Sequence, residues 1–175
     1  LGDVLLTTPL IAAARARWPQ ARIDVLGFAG TLGLLEGHPG VDHFIEVPAG
    51  SGWRRSWPLI RKLWRRYDLA LVSQFSDRAH LYGLIAARVR SGLVTKDRAQ
   101  SWWKRLTLRH YVVVDEAPSH VVIEKLRLLE PWTLPAPVHV RAPEGRPLPE
   151  DLAEALAPPY AVVQVPSLVR YKQWP

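Results

Sequence analysis

Tyr67-Asp68-Leu69-Ala70-Leu71-Val72-Ser73 is a run of strand length whose apolar character only Asp68 interrupts. A strand that is apolar on both faces must be covered on both, and parallel sheets are where such strands occur. Parallel neighbours cannot be joined by a hairpin, so helices have to cross over between them. The surrounding chain has that rhythm. Strands are predicted over 22–27, 42–47 and 91–94, and helices over 57–66, 77–88 and 119–130, with glycine- and proline-bearing turns between them. The expected fold is therefore α/β, a parallel sheet with helices on both faces. In the helix over 57–66, the spacing predicts Trp57, Ile60, Leu63 and Trp64 inward and Arg54, Arg55, Arg61, Lys62 and Arg65 outward. The helix over 77–88 should carry Leu81, Leu84 and Ile85 as its apolar positions, and 95–115 has the least regular pattern.

At 175 residues the chain can hold one domain with a full core and the start of another. Hydrophobic residues at 48% and charged residues at 22% describe a globular chain, and no apolar run reaches the length of a membrane span. The absence of cysteine excludes disulfides and thiolate-metal sites and suits a reducing cytoplasm. A net charge of +7 points to an anionic partner: a phosphorylated sugar lipid, a nucleic acid or a membrane surface. The cations are clustered. Arg54, Arg55, Arg61, Lys62, Arg65 and Arg66 occur with no acid between 53 and 66, and Lys96, Arg98, Lys104, Arg105, Arg109 and His110 face Asp97 alone. Each cluster reads either as a solvated face or as a grip for an anion, and Trp102 and Trp103 add stacking surface to the second.

The opening stretch carries the one isolated carboxylate set against a turn and an apolar helix, Leu1-Gly2-Asp3-Val4-Leu5-Leu6-Thr7-Thr8-Pro9-Leu10. Pro9 has no N–H, so either Thr8 caps a helix with Pro9 at its first position or a helix begun near Asp3 kinks there. A signal-peptide reading of this apolar run is opposed by Asp3 and by the lack of a preceding positive charge. Gly27, Gly30 and Gly33 invite a dinucleotide-binding reading, but their spacing is not that of the fingerprint, and a turn with helix packing competes. Ligands of open α/β sheets lie beyond the carboxyl ends of the strands, which makes Gln74, Ser76, Asp77 and Arg78 candidate contacts. There is no metal-ligand cluster at recognisable spacing and no phosphate-cradling loop of the Walker type.

Gly2-Asp3-x-Leu5-x-Thr7-Thr8-Pro9 resembles the opening motif of the ADP-heptose:lipopolysaccharide heptosyltransferases, glycosyltransferase family 9. Pro118-Ser119-His120-Val121-Val122 through Leu129 resembles that family's segment in which a His opens a leucine-rich helix, and Lys172-x-Trp174-Pro175 resembles its donor-site motif. Where the family usually has Pro-Gly, this chain has Pro166-Ser167. The resemblance implies the N-terminal half of a two-domain GT-B fold, Rossmann-like, with its first strand missing ahead of Leu1. It implies an acceptor-binding domain over 1–157, proline-rich from about 131, and the truncated opening of a donor-binding domain over 158–175.

By the same resemblance Asp3 is the catalytic base of an inverting heptose transfer, and Lys172 and Ser167 contact the ADP-sugar donor. Gly2, Thr7, Thr8, Arg54, Arg61, Arg65, Ser76, Asp77, Arg98, Arg105 and His120 are the expected contacts to an anionic lipopolysaccharide-core acceptor. No metal or other cofactor is implied. The expected location is the cytoplasm, with peripheral contact at the inner membrane, and a chain without its donor domain is expected to be inactive. The rival reading is a non-enzymatic basic nucleic-acid-binding module, which the long apolar strands and the lack of any nucleic-acid motif oppose.

Overall fold

The computed structural model describes residues 2–48, 53–114 and 120–132, together with 140, 147, 149, 150 and 156, with 53–55 by backbone alone. The chain divides into two compact units, Leu1–Glu144 and Gly145–Pro175. Nearly all described residues lie in the first. Lys172, Ser167, Ser119 and most of the proline-rich segment fall outside the described residues, as does the side chain of Arg54.

Every strand pair is parallel, as the apolar run at 67–73 required. Strand β1 (Asp24–Phe28) pairs with β2 (His43–Val47) in register from Asp24↔His43 to Phe28↔Val47. Strand β3 (Tyr67–Val72) pairs with β4 (Ala87–Thr95), and β4 with β5 (His110–Val114). Helices cross over between them: α3 (Trp53–Leu63) from β2 to β3, α4 (Asp77–Ala86) from β3 to β4, and α5 (Arg98–Thr107) from β4 to β5. The strands form two sheets, one of two strands and one of three.

The two sheets run in the same direction, because they are stitched at matching ends. At the amino ends the Tyr67 hydroxyl donates to the Asp24 carboxylate at 2.6 Å. At the carboxyl ends Arg78 of α4 donates to the Pro48 carbonyl at 3.1 Å and lies over the rings of Phe28 and Tyr82. Between the facing edges of β1 and β3 runs a cleft of about 760 Å³, walled by Leu26, Leu69 and Leu71 and covered by Leu10, Ile11 and Ala14.

Several expectations about individual elements are corrected. Residues 95–115, irregular by pattern, form α5 and β5. The pattern hid α5 because its buried positions are Ser101 and Lys104, polar by name yet internally bonded, and because its start is fixed by Asp97, whose carboxylate accepts from the Ala99 N–H at 2.8 Å. Strand β4 is nine residues long rather than the four predicted over 91–94. Its first half is disguised by Arg90, whose guanidinium donates to the Thr107 carbonyl at 2.6 and 2.8 Å. In α3 the inward residues are Leu59 and Leu63, while Trp57 and Trp64 are 52% and 65% exposed. In α4, Leu81 faces outward and Tyr82 and Ala86 are buried.

The Asp24–Tyr67 contact is the polar bond between the two sheets at their amino ends. Burial pushes the Asp24 carboxyl up, but hydrogen bonds from Arg22 and Tyr67 outweigh it and hold the group below its usual value. Burial, then the bond to Asp24, pushes the Tyr67 hydroxyl up to about 12. Its contribution is thus complete below the ordinary tyrosine value of 10.0 and lost as pH rises through about 12. We expect Tyr67→Phe to lower unfolding free energy in urea at neutral pH by about 1.5 to 3 kcal/mol, the usual scale for a hydrogen bond to a charged group. A variant as stable as the parent would show that this bond does not join the sheets.

Candidate active site

The Gly2-to-Pro9 stretch forms two helical pieces, α1 (Gly2–Leu5) and α2 (Thr8–Arg17), broken at Leu6 and Thr7. Each alternative left open by Pro9 holds in part: a helix begins at Gly2 and breaks at Leu6 and Thr7, and a second helix starts at Thr8 with Pro9 in its first turn and Thr7, not Thr8, at its N-cap. Pro9 cannot donate to the Leu5 carbonyl, which instead accepts from the Thr8 hydroxyl at 2.8 Å. The Thr7 hydroxyl donates to the Asp3 carbonyl at 2.7 Å. Asp3 is exposed, on a turn fixed by these two side chains.

A residue that the sequence reading did not single out completes this corner. Lys125, in α6 (Val121–Leu126), is 2% exposed, and its ammonium donates to the Asp3 carbonyl at 2.6 Å and to the Thr7 hydroxyl at 2.9 Å. Burial lowers its pKa, and the nearby Asp3 works against that. The signal for it was present: Lys125 sits among Val122, Leu126 and Leu129, on the buried side of an apolar helix where a solvated lysine has no place.

Asp3 lies at the carboxyl edge of the strands. Its helix α1 packs on the 3₁₀ turn Leu32–Leu35, which follows β1, and its carbonyl is held by α6, which follows β5. Ser76, Asp77 and Arg98 reach the same edge from the ends of β3 and β4. Ser76 caps α4, accepting from the Ala79 N–H at 3.3 Å, and Asp77 pairs at 2.7 Å with the buried ammonium of Lys104. That ammonium also donates to the Phe75 carbonyl at 2.6 Å. His120 caps α6 through Nδ1, which accepts from the Val122 N–H at 3.3 Å. Arg98 is exposed beside them.

Other predicted contacts stand elsewhere. Thr8 is buried with its hydroxyl committed to the break before Pro9, so it shapes the turn rather than presenting a ligand group. Arg105 is engaged with Ser101, the Thr95 carbonyl and the Tyr111 ring, fastening α5 to β4. Arg61 and Arg65 are carried by α3 away from the Asp3 edge. Arg61 is eight residues beyond Trp53, about 12 Å along the helix, and Arg65 precedes β3 at the amino edge with φ of 47°. The topology therefore separates these two cations from Asp3. In the glycine loop, a Cβ on Gly27 would meet Leu32 at 2.6 Å, and Gly30 turns with φ of 78°, so the loop packs and turns as its non-fingerprint spacing suggested. Thr7 lines the cleft between the sheets; Asp3, Ser76 and Asp77 do not. Among the described residues no group of three or more His, Cys, Asp or Glu side chains could hold a metal ion. No helix among them is long and apolar enough to cross a membrane.

Parallel strands joined by crossover helices, with a carboxylate-bearing turn at their carboxyl edge, are the architecture of one half of a GT-B glycosyltransferase. The structure superposes on a glycosyl transferase family 9 protein from Veillonella parvula with a TM-score of 0.73 and 19% identity, covering 99% of this chain and 53% of that one. It superposes on the Escherichia coli ADP-heptose LPS heptosyltransferase II with a TM-score of 0.60 and 25% identity, covering 88% of this chain and 46% of that one. In sequence the chain is 28% identical over 138 residues to lipopolysaccharide heptosyltransferase 3 of Escherichia coli K12, covering 74% of this chain and 39% of that protein. A second Escherichia coli lipopolysaccharide heptosyltransferase 3 is 29% identical over 139 residues with the same coverage. No family model matches. The chain is thus similar, over most of its length, to lipopolysaccharide heptosyltransferases, and it spans 39% of the length of those two relatives.

Lys125 yields a pH test. Because burial lowers its native pKa below the ordinary 10.5, the native state sheds this proton before the unfolded chain does. The cost of burying the charge is fully present below the native pKa and relieved as pH climbs toward the unfolded value. As pH rises toward the ordinary lysine value of 10.5, the unfolding free energy of the parent should therefore rise relative to that of Lys125→Met. Parallel pH profiles would mean that the ammonium is solvated in the native state.

Proposed function

We propose that this chain is the acceptor-binding half of an inverting heptosyltransferase that moves heptose from ADP-heptose to an anionic lipopolysaccharide core, at the cytoplasmic face of the inner membrane. The observation that carries the reading is Asp3: it lies in the Gly-Asp-x-Leu-x-Thr-Thr-Pro motif and is held at the carboxyl edge by Thr7 and Lys125. The names of the similar proteins supply the donor and the acceptor.

In this mechanism an acceptor hydroxyl approaches Asp3, whose carboxylate takes its proton as the oxygen bonds to the anomeric carbon. The bond from that carbon to the diphosphate breaks with inversion, and no covalent enzyme intermediate forms. Negative charge accumulates on the departing diphosphate, where Lys172 would neutralise it and Ser167 would add a contact to the donor. On the acceptor side, Gly2 and Thr7 line the approach to Asp3. Ser76, Asp77, Arg98 and His120 stand at the same edge, with Arg98 the exposed cation for acceptor phosphate. Lys125 orders the backbone that carries Asp3, so that the base is in place before substrate arrives.

In a GT-B enzyme the reacting atoms meet between two domains, so this chain alone should give no product above background when incubated with ADP-heptose and core acceptor. Measurable turnover would remove the need for a second domain. In the complete enzyme, Asp3→Asn keeps the shape but cannot take a proton. Turnover should fall at least about a hundredfold while melting temperature and acceptor affinity barely move. Parallel loss of stability and activity would make Asp3 a structural residue instead.

A further inference from the structure

The carboxyl end of β3 runs against the charge of the rest of the chain. Gln74, Phe75, Ser76 and Asp77 are all exposed there, in a protein of net charge +7, yet the two cations packed beside them are committed inward. Arg78 donates to the Pro48 carbonyl and the Tyr82 hydroxyl and lies over the Phe28 ring. The Lys104 ammonium, on a side chain only 7% exposed, donates to the Phe75 carbonyl at 2.6 Å and pairs at 2.7 Å with Oδ1 of Asp77, with the Trp103 ring beside it. One buried nitrogen therefore fixes both the backbone under a phenyl ring and the carboxylate two residues further on. Phe75 remains 38% exposed and the Asp77 side chain 70% exposed, so the ring and the carboxylate both meet solvent.

This set repels phosphate, because its outermost charge is negative and the neighbouring ammonium and guanidinium are already spent. It suits a ring that is apolar on one face and hydroxylated at its rim. The C–H groups of a pyranose carry a slight positive charge and lie well against the negative face of an aromatic ring. A carboxylate accepts two adjacent hydroxyls through short, charge-assisted hydrogen bonds, and the Gln74 amide and Ser76 hydroxyl can add further ones. We propose that Phe75 and Asp77 form a subsite for an uncharged pyranose ring, stacked on Phe75 with two adjacent hydroxyls on Asp77, and that Lys104 is the positioning residue that holds both. That the ring belongs to the acceptor rests on the heptosyltransferase reading; that this strip takes a sugar does not. The edge then divides its work, with Arg98 meeting phosphate and the Phe75–Asp77 strip meeting an unphosphorylated ring.

The test titrates the chain with methyl α-D-glucopyranoside and methyl α-D-mannopyranoside, with inorganic phosphate as competitor, following backbone amide shifts and saturation transfer from protein to sugar protons. We expect saturable shifts at residues 74–77, transfer to the ring C–H protons, equal affinity at low and near-physiological salt, and no displacement by phosphate. Phe75→Ala and Asp77→Asn should each weaken pyranoside binding at least about fivefold. Lys104→Met should weaken it comparably although neither contacting side chain is changed, and Lys104→Arg, which keeps a cationic donor, should recover part of that loss. Circular dichroism matching the parent establishes that the variants fold, and Phe75→Ala, at an exposed position, decides the matter should the Lys104 variants not fold. No saturable binding at these amides, displacement by phosphate, or variants that bind as the parent does would overturn the subsite. Heptose transfer by the complete enzyme without sugar binding here would overturn the subsite and leave the heptosyltransferase reading standing, whereas sugar binding here without transfer by the complete enzyme would overturn that reading and leave the subsite.

Discussion

Parallel pairing is the constraint from which the arrangement of this domain follows. A parallel strand must be reached by a crossover, so each helix begins at the carboxyl edge and ends at the amino edge. This one rule sorts the polar residues. Residues just after strands, such as Ser76, Asp77 and Arg98, collect at the edge that carries Asp3, whereas residues just before strands, such as Arg65, Arg66 and Arg109, are delivered to the far edge. Charge clustering along the sequence therefore splits into two populations in space. A single basic run can serve both edges, as Arg98 and Arg109 at the two ends of α5 do.

The carboxyl edge is organised by two lysines whose ammonium groups are taken out of water. An unpaired buried cation is costly, and each is compensated by close acceptors: Lys104 by Asp77 and the Phe75 carbonyl, Lys125 by the Asp3 carbonyl and Thr7. Both tether the start of one element to the flank of a later one. Lys125 spans more than a hundred residues of chain to do so, which makes α6 a support for the first turn. Removing either ammonium would leave carbonyl oxygens without their partner at the edge where order matters for chemistry.

Much of this was legible in the sequence, and the reasons for the rest are physical. Strand β3 was plain because its residues are apolar on both faces, which leaves no polar side to confuse the pattern. Asp3 was found because its neighbours form a recognisable motif. Helix α5 and the first half of β4 were missed because Ser101 and Lys104 are buried, and Arg90 half-buried, through hydrogen bonds rather than through apolarity. Trp57 and Trp64 were turned the wrong way because size and apolarity predict burial, whereas α3 is held through Leu59 and Leu63 instead. Lys125 escaped because a lysine in an apolar stripe is first read as a flaw in the stripe.

The separation of the strands into two sheets has a dynamic consequence. Only β4, among the described strands, is hydrogen-bonded along both edges, whereas β1 and β2 share one ladder with each other and none with β3. Backbone amides report this directly, since a ladder with an open side can detach without unfolding the remainder. The β1–β2 ribbon has no ladder to the larger sheet and is joined to the rest by Asp24–Tyr67, by Arg78 and by the packing of Ile45 and Val47 against Leu59, Leu63, Tyr82 and Ala86. Amide hydrogens of residues 24–28 and 43–47 should exchange through a subglobal opening that breaks those two clasps and that packing, while Leu93 and Val94 at the centre of the larger sheet wait for global unfolding.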